Sequence, residues 1–263
     1  MDLDLAGKRV LVTGASKGIG LATVRAFLAE GASVTAVARR STPELEASGA
    51  AFVAADLATS EGPGRMVDAV LSADPRLDVL VNAAGGGDVP DGVLGDPFGG
   101  DDGIWDATFS LTLYSAVRTI RAALPALAAT RGAIVNIGSD SVLLPGSVPA
   151  PYPAAKAALI TFSRGLAERV APSGVRINVV TPSATRTPLL TGADSLVAKL
   201  AAEMGVTHEE LLEQFPAQNG MVTGKLIEPD EIARTIILLS SPTMPSAVGS
   251  NWAVHGGSLK MPA

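Results

Sequence analysis

A glycine-rich turn between an apolar strand and an amphipathic helix constrains this chain more than any other feature. Val10-Leu11-Val12 runs into Thr13-Gly14-Ala15-Ser16-Lys17-Gly18-Ile19-Gly20. Residues 21–30 follow, with Leu21, Val24, Phe27 and Leu28 spaced for one apolar helix face. Glycines at such a turn let backbone approach a pyrophosphate, and the helix start offers free N–H groups and a positive dipole end. The spacing is G-x-x-x-G-x-G, which differs from the common G-x-G-x-x-G dinucleotide fingerprint. A tight turn that only packs a helix on a sheet would use the same glycines.

The same rhythm continues along the chain. Short apolar runs at 34–38, 51–54, 79–81, 133–137, 175–180 and 251–254 read as strands. Helical patterns at 64–71, 104–129, 153–170 and 229–239 separate several of them, with Pro125 expected to bend the longest or mark its last turn. Alternation of this kind implies parallel pairing with right-handed crossovers. Two segments interrupt it. Residues 85–103 are rich in Gly and Asp and read as a mobile loop. Residues 187–224 carry the amphipathic piece 195–204 and a helix-like piece 208–215, and read as a substrate lid. No repeat or linker is visible, and 47% hydrophobic residues suffice for one large core. One domain over 1–263 is therefore expected.

Composition excludes several functions. The chain has no cysteine, so disulfides, zinc-thiolate sites and thiol nucleophiles are absent. A net charge of −6 disfavours non-specific nucleic-acid binding. There is no signal-like N-terminus and no apolar run of membrane-spanning length, so a cytoplasmic protein without a membrane partner is expected. His208 and His255 stand apart and read as structural or exposed, and no metal cluster is visible.

The second strand bears on which dinucleotide would fit. An NAD site usually carries an acid at that strand's end, about 20 residues beyond the glycines, for the ribose 2′-OH. Here the strand ends Ala36-Val37-Ala38-Arg39-Arg40. A guanidinium fork suits a 2′-phosphate, and Lys17 stands in the glycine turn within reach of the same group. NADP(H) is the cofactor this composition favours, although two solvated surface arginines would read the same way.

Tyr152-Pro153-Ala154-Ala155-Lys156 places Tyr and Lys four apart, on one face of a helix that opens at Pro153. An ordinary phenol titrates near 10, too high for easy proton exchange at neutral pH. The helix dipole and the ammonium are expected to lower it. A surface helix pair shows the same spacing.

Taken together, these motifs resemble the short-chain dehydrogenase/reductase family over residues 8–257. Thr13-Gly14-x3-Gly18-Ile19-Gly20 is its glycine motif. Asp56-Leu57 is similar to its adenine-ring acid, and Asn82-Ala83-Ala84-Gly85 to its Asn-Asn-Ala-Gly segment, with Ala83 replacing an Asn. Ser139 precedes Tyr152 by the family's spacing (152 − 139 = 13). Pro182-Ser183-x3-Thr187, with Thr185 inside it, is similar to the Pro-Gly-x3-Thr stretch at the nicotinamide carboxamide. Ala253-Val254-His255-Gly256-Gly257 resembles the family's C-terminal strand ending.

The resemblance implies a doubly wound Rossmann-type α/β fold with a seven-stranded parallel sheet. It implies hydride transfer between NADP(H) and a carbonyl or secondary alcohol. Tyr152 would be the general acid or base. Lys156 would lower its pKa and bind the nicotinamide ribose. Ser139 would hydrogen-bond the substrate oxygen. Gly14, Ser16, Lys17, Gly18, Ile19, Gly20, Arg39, Arg40, Asp56, Leu57, Asn82, Ala83, Gly85, Pro182, Ser183, Thr185 and Thr187 would line the cofactor. Thr112 stands in Trp105-Asp106-x4-Leu111-Thr112-Leu113, where the family carries an Asn whose carbonyl holds a relay water, and an altered relay is expected. A homotetramer or homodimer on helices 104–129 and 153–170 is also implied. An NAD-preferring alcohol dehydrogenase and a catalytically impaired cofactor-binding protein are the alternatives. Leu143, Leu144, Pro151, Leu189 and Leu190 suggest an apolar substrate wall. Asp88, Asp91, Asp96, Asp101 and Asp102 suggest an acidic rim that disfavours anionic substrates.

Overall fold

Alternating side chains of seven parallel strands divide the interior in two. The structure, a computed structural model, describes residues 1–86 and 93–259. The strands are β1 Arg9–Thr13, β2 Ser33–Ala38, β3 Ala51–Ala54, β4 Val79–Asn82, β5 Ala133–Ile137, β6 Arg176–Pro182 and β7 Asn251–Val254. They pair in the order β3-β2-β1-β4-β5-β6-β7, every ladder parallel. Val10, Val12, Val79, Val81, Val135 and Ile137 face one layer, with Leu21, Val24 and Phe27 of α1 (Gly18–Ala29) and Ile232 and Ile236 of α10 (Pro229–Ser240). Leu11, Leu80 and Ile134 face the other. They meet Met66 and Val70 of α3 (Gly62–Ala73), Ile120 and Leu127 of α5 (Ser115–Thr130) and Ala167 of α6 (Pro151–Val170). Period-two strands buried on both faces read as continuous apolar runs, which is why the sequence marks them so clearly.

The helix expected over 104–129 is in fact three pieces. Asp101 accepts from the Ile104 N–H and starts α4, Asp102–Phe109. A wider π turn, Ser110–Tyr114, follows, and α5 resumes beyond it. Ser115 donates to the Leu111 carbonyl (2.5 Å) and Thr119 to the Ser115 carbonyl (2.7 Å). Hydroxyls bonded back to carbonyls loosen a helix, and π turns gather at functional sites. Pro125 does not end α5, which continues to Thr130. The short helix α2, Pro43–Glu46, went unread: Thr42 accepts from the Leu45 N–H and Pro43 opens it.

Segment 187–224 forms α7 Pro188–Thr191, α8 Leu196–Met204 and α9 His208–Gln218. It has a small core of its own in Val197, Ala201 and Leu211, and Leu190 packs there. In the Asp-rich loop, Asp88 and Asp91 lie outside the described residues. Asp96 accepts from the N–H groups of Phe98 and Gly100, and Asp101 caps α4. Asp102 lies in the first turn of α4, where its charge complements the helix dipole. Asp96 and Asp101 thus also organise the turn and the helix start, and Asp101 and Asp102 stay exposed.

Candidate active site

The glycine turn is built by contact with the neighbouring strand. Gly14 has φ +64°, and a Cβ there would stand 2.7 Å from the carbonyl of Ala83 and the nitrogen of Ala84. A Cβ on Gly20 would stand 2.2 Å from the Gly14 carbonyl oxygen. Only hydrogen fits at either place. A Cβ on Gly18, at φ +55°, would stand 3.0 Å from Thr187 Cγ2, so the turn lies close to the segment after β6. The Thr13 hydroxyl accepts from Ala84 N–H at 3.3 Å and donates to Val81 O at 3.4 Å. Lys17 is exposed at the N-cap of α1, and no side chain caps that end. The half-buried Ser16 and Ile19 complete the turn. An uncapped helix start beside a cradle that admits no Cβ fits a dinucleotide pyrophosphate.

Arg39 and Arg40 leave β2 into solvent, and both are exposed. Among the described residues neither enters an ion pair, nor does Lys17. Thr42 donates to the Ser16 carbonyl at 3.0 Å, which ties the end of β2 to the glycine turn. Asp56 is exposed after β3 and accepts from the Ala58 N–H at 3.0 Å, while Leu57 is buried beside it.

Tyr152 is half-buried in the first turn of α6, and Lys156 is buried one turn later. The ammonium lies 5.7 Å from the Tyr152 ring centroid. It donates to the Ile137 carbonyl at 2.7 Å. Ser139 stands just past β5, 9% exposed, and near enough to the phenol to lower its pKa. Gly85 joins this group: a Cβ there would meet Lys156 Nζ at 3.1 Å and Thr112 Cγ2 at 3.9 Å. Thr112 is fully buried in the π turn, and among the described residues its hydroxyl has no partner.

The phenol titrates against the sequence expectation. Burial pushes Tyr152 up to about 12, the Ser139 hydroxyl pulls it back in part, and the Asp140 carboxylate raises it further. Burial also lowers Lys156 to about 8. The ammonium gives its hydrogen bond to Ile137 and faces the ring, so desolvation of the phenolate outweighs its attraction.

A polar chain missed in the sequence supports the group. Asn82 Nδ2 donates to Asn136 Oδ1, and Asn136 Nδ2 donates to Ser163 Oγ, each at 2.8 Å. It links β4, β5 and α6 through the interior. The signal available was Asn136 inside the apolar run Ala133-Ile134-Val135-Asn136-Ile137. Ser141 was also missed. It bonds Ser139 through both its hydroxyl and its backbone N–H.

Beyond β6, Pro182, Ser183 and Thr185 are buried. Ser183 N–H donates to Val254 O, and Thr185 donates to Ser183 O. Ser183 keeps negative φ, so Ser in place of Gly needs no left-handed backbone. Thr187 stands at the N-cap position of α7, at the lip of the glycine turn, without a side-chain cap. His255 Nδ1 accepts from Gly257 N–H and Leu259 N–H, and His208 Nε2 lies 2.9 Å from the Leu190 carbonyl. Both histidines therefore organise backbone. Among the described residues no group of His and carboxylates could hold a metal ion, and no helix is long and apolar enough to cross a membrane.

Comparison with known proteins agrees with this geometry. Residues 8–196 match the family model described as short chain dehydrogenase. The chain is 33% identical to the 2,3-dihydro-2,3-dihydroxybenzoate dehydrogenase of Escherichia coli, covering 97% of this chain and 98% of that one. It is 32% identical to an A-factor type gamma-butyrolactone 1′-reductase of Streptomyces virginiae, covering 96% of each. Among solved structures it is similar to the L-sorbose reductase of Gluconobacter frateurii complexed with NADPH and L-sorbose. That match has a TM-score of 0.89 and 30% identity, and covers 100% of both chains.

The shifted Lys156 makes a stability prediction for the ligand-free protein. Its folded pKa of about 8 lies below the ordinary 10.5, so burying the charge costs stability below pH 8. That cost fades as pH rises from 8 towards 10.5. Lys156→Met should therefore be more stable than the parent at pH 7 by about 1–3 kcal/mol, with the orphaned Ile137 carbonyl offsetting part of the gain. The difference should shrink between pH 8 and 10.5. Denaturant midpoints across that range measure it, and a Met variant less stable at pH 7 would contradict the desolvation account.

Proposed function

The chain belongs to the short-chain dehydrogenase/reductase family of oxidoreductases, and we propose that it uses NADP(H) to interconvert a carbonyl compound and its secondary alcohol. The observation that carries the cofactor choice is the end of β2, where two exposed arginines follow Ala38 with no acid beside them. They flank the same edge of the glycine turn as Lys17, which supports a 2′-phosphate held by Arg39 with Lys17 or Arg40 beside it. The turn 14–20 would hold the pyrophosphate. Asp56 and Leu57 would border the adenine, Asn82, Ala83 and Gly85 the ribose side, and Pro182, Ser183, Thr185 and Thr187 the nicotinamide end.

The bound cofactor supplies or receives the hydride. In reduction, Tyr152 donates its proton to the carbonyl oxygen as that oxygen gains charge. A phenol raised to about 12 holds its proton at neutral pH, so it starts in the acid form. Ser139 donates to the same oxygen and stabilises its developing charge. Lys156, held near the phenol by Ile137, favours the phenolate once the proton has left. Thr112 would carry the proton path onward through its carbonyl, in the widened turn beside Lys156. A substrate would pass Leu143, Leu144 and Leu189, which are 54%, 37% and 43% exposed. These side chains favour a substrate with an apolar body. Segment 187–224 would close over it.

A second copy of the chain is the proposed partner, in a dimer or tetramer built on α4–α5 and α6. Leu124, Phe162 and Leu166 stay only half-buried in the single chain, which supports that packing. Light scattering at micromolar concentration should give a mass of two or four chains, and a single-chain mass would count against it.

Tyr152→Phe keeps the ring and removes the acid. Turnover of ketones should drop at least about 100-fold with NADPH binding retained. Near-parent activity, read by nicotinamide absorbance over a panel of ketones and alcohols, would overturn the mechanism.

The cofactor choice has its own test. NADPH should bind more tightly than NADH. A charge-assisted contact contributes about 1.5–3 kcal/mol, so Arg39→Ala should weaken NADPH about 10- to 150-fold and leave NADH nearly unchanged. Dissociation constants for both cofactors decide it. If NADH binds as tightly as NADPH, or both weaken equally, the arginines are surface charges.

A further inference from the structure

Buried hydroxyls have few options, and counting them assigns a direction to the hydrogen bonds at Ser139. Ser141 is 3% exposed and lies in the middle of the short turn Asp140–Val142 after β5. Its backbone N–H donates to Ser139 Oγ at 3.2 Å, and its hydroxyl lies 2.9 Å from that same oxygen. Among the described residues the Ser141 hydroxyl has no other partner. Were Ser139 to donate to it, the Ser141 proton would have no acceptor, and an unmatched buried donor is costly. The Ser141 hydroxyl is therefore the donor. A serine oxygen has two lone pairs and one hydrogen. The two donors of Ser141 fill both lone pairs of Ser139, and only the Ser139 hydrogen is left to point elsewhere. That hydrogen is free to turn towards the side of Tyr152, where a substrate oxygen would bind.

We propose that Ser141 is a positioning residue, which fixes Ser139 as a donor aimed at the reacting oxygen. The inference rests on the catalytic reading above and deepens it. Preorganised donors stabilise charge without having to turn during the reaction, and a hydroxyl free to rotate spends part of its time pointing away. In reduction the substrate oxygen then meets two donors, Tyr152 and Ser139. The phenol proton is the one transferred, and the Ser139 proton stays on its oxygen. Ser141, buried behind Ser139, would act only through it.

The measurement is a double-mutant cycle with NADPH and the ketone turned over fastest by the parent. Ser139→Ala should lower turnover by about 100-fold or more. Ser141→Ala keeps the backbone donor and loses the hydroxyl, so turnover should fall about 3- to 10-fold, the range of one neutral hydrogen bond. KM and NADPH affinity should hold. Ser141→Thr, which restores a hydroxyl, should recover most of the loss. In the Ser139→Ala background, Ser141→Ala should have no further effect, because nothing remains to orient. Parent-like turnover in Ser141→Ala would overturn the proposal. So would an equal loss in both backgrounds, which marks a packing effect. Parent-like turnover in Ser139→Ala would bring down the catalytic reading itself, and the Ser141 role with it.

Discussion

Everything at this site depends on the approach of one backbone to another between β1 and β4. The strand order β3-β2-β1-β4-β5-β6-β7 runs outward in both directions from that pair. Chain leaving β1 turns one way, chain leaving β4 turns the other, and a crevice opens between them at the strand ends. The turn after β1 crosses the start of the β4 loop so closely that a methyl on Gly14 would lie 2.7 Å from Ala83 and Ala84 backbone. Thr13 then pins the two chains with its hydroxyl. With that contact made, the free end of α1 faces the crevice, and Gly85 arrives beside Lys156 and Thr112.

The second constraint is the handling of polar groups taken out of water. Asn82, Asn136 and Ser163 cross the interior as one hydrogen-bonded chain, so the strands and the catalytic helix keep a fixed offset. Arg176 shows the same economy at the far end of the sheet. Its guanidinium donates to the carbonyls of Leu239, Ser240, Ser241 and Met244, and closes the C-terminal end of α10. Lys156 differs. Among the described residues it has one carbonyl partner and no carboxylate in an ion pair, and its lowered pKa reflects that burial in low dielectric. A buried cation left short of partners is poised for a task beyond stability.

Much of the architecture was legible because its signals are local. A strand buried on both faces, as β5 is, must be mostly apolar, and β3, β5 and β7 carry the limits read from their apolar runs. Tyr152 and Lys156 share a helix face because they stand four apart. The π turn at Ser110–Tyr114 was not legible, since Ser115 and Thr119 hydroxyls bonding back to carbonyls look in a sequence like ordinary helix residues. In the Asp-rich loop the sequence suggested surface charge and did not show that Asp96 and Asp101 also bind backbone N–H groups, because such a contact depends on how the turn closes.

By itself the sequence determined the sheet, the glycine turn, the unopposed arginines after β2 and the identity of the residues offered for chemistry. These follow from periodicity and residue type, which act over a few positions. Tertiary structure alone decided that the phenol is raised and not lowered. That outcome depends on how deeply burial desolvates Tyr152, where the Lys156 ammonium points and which side Asp140 approaches from. It also decided that Ser141, two residues from Ser139, closes both lone pairs of its neighbour. Solvation and hydrogen-bond direction are properties of the assembled surroundings, and no spacing of letters carries them.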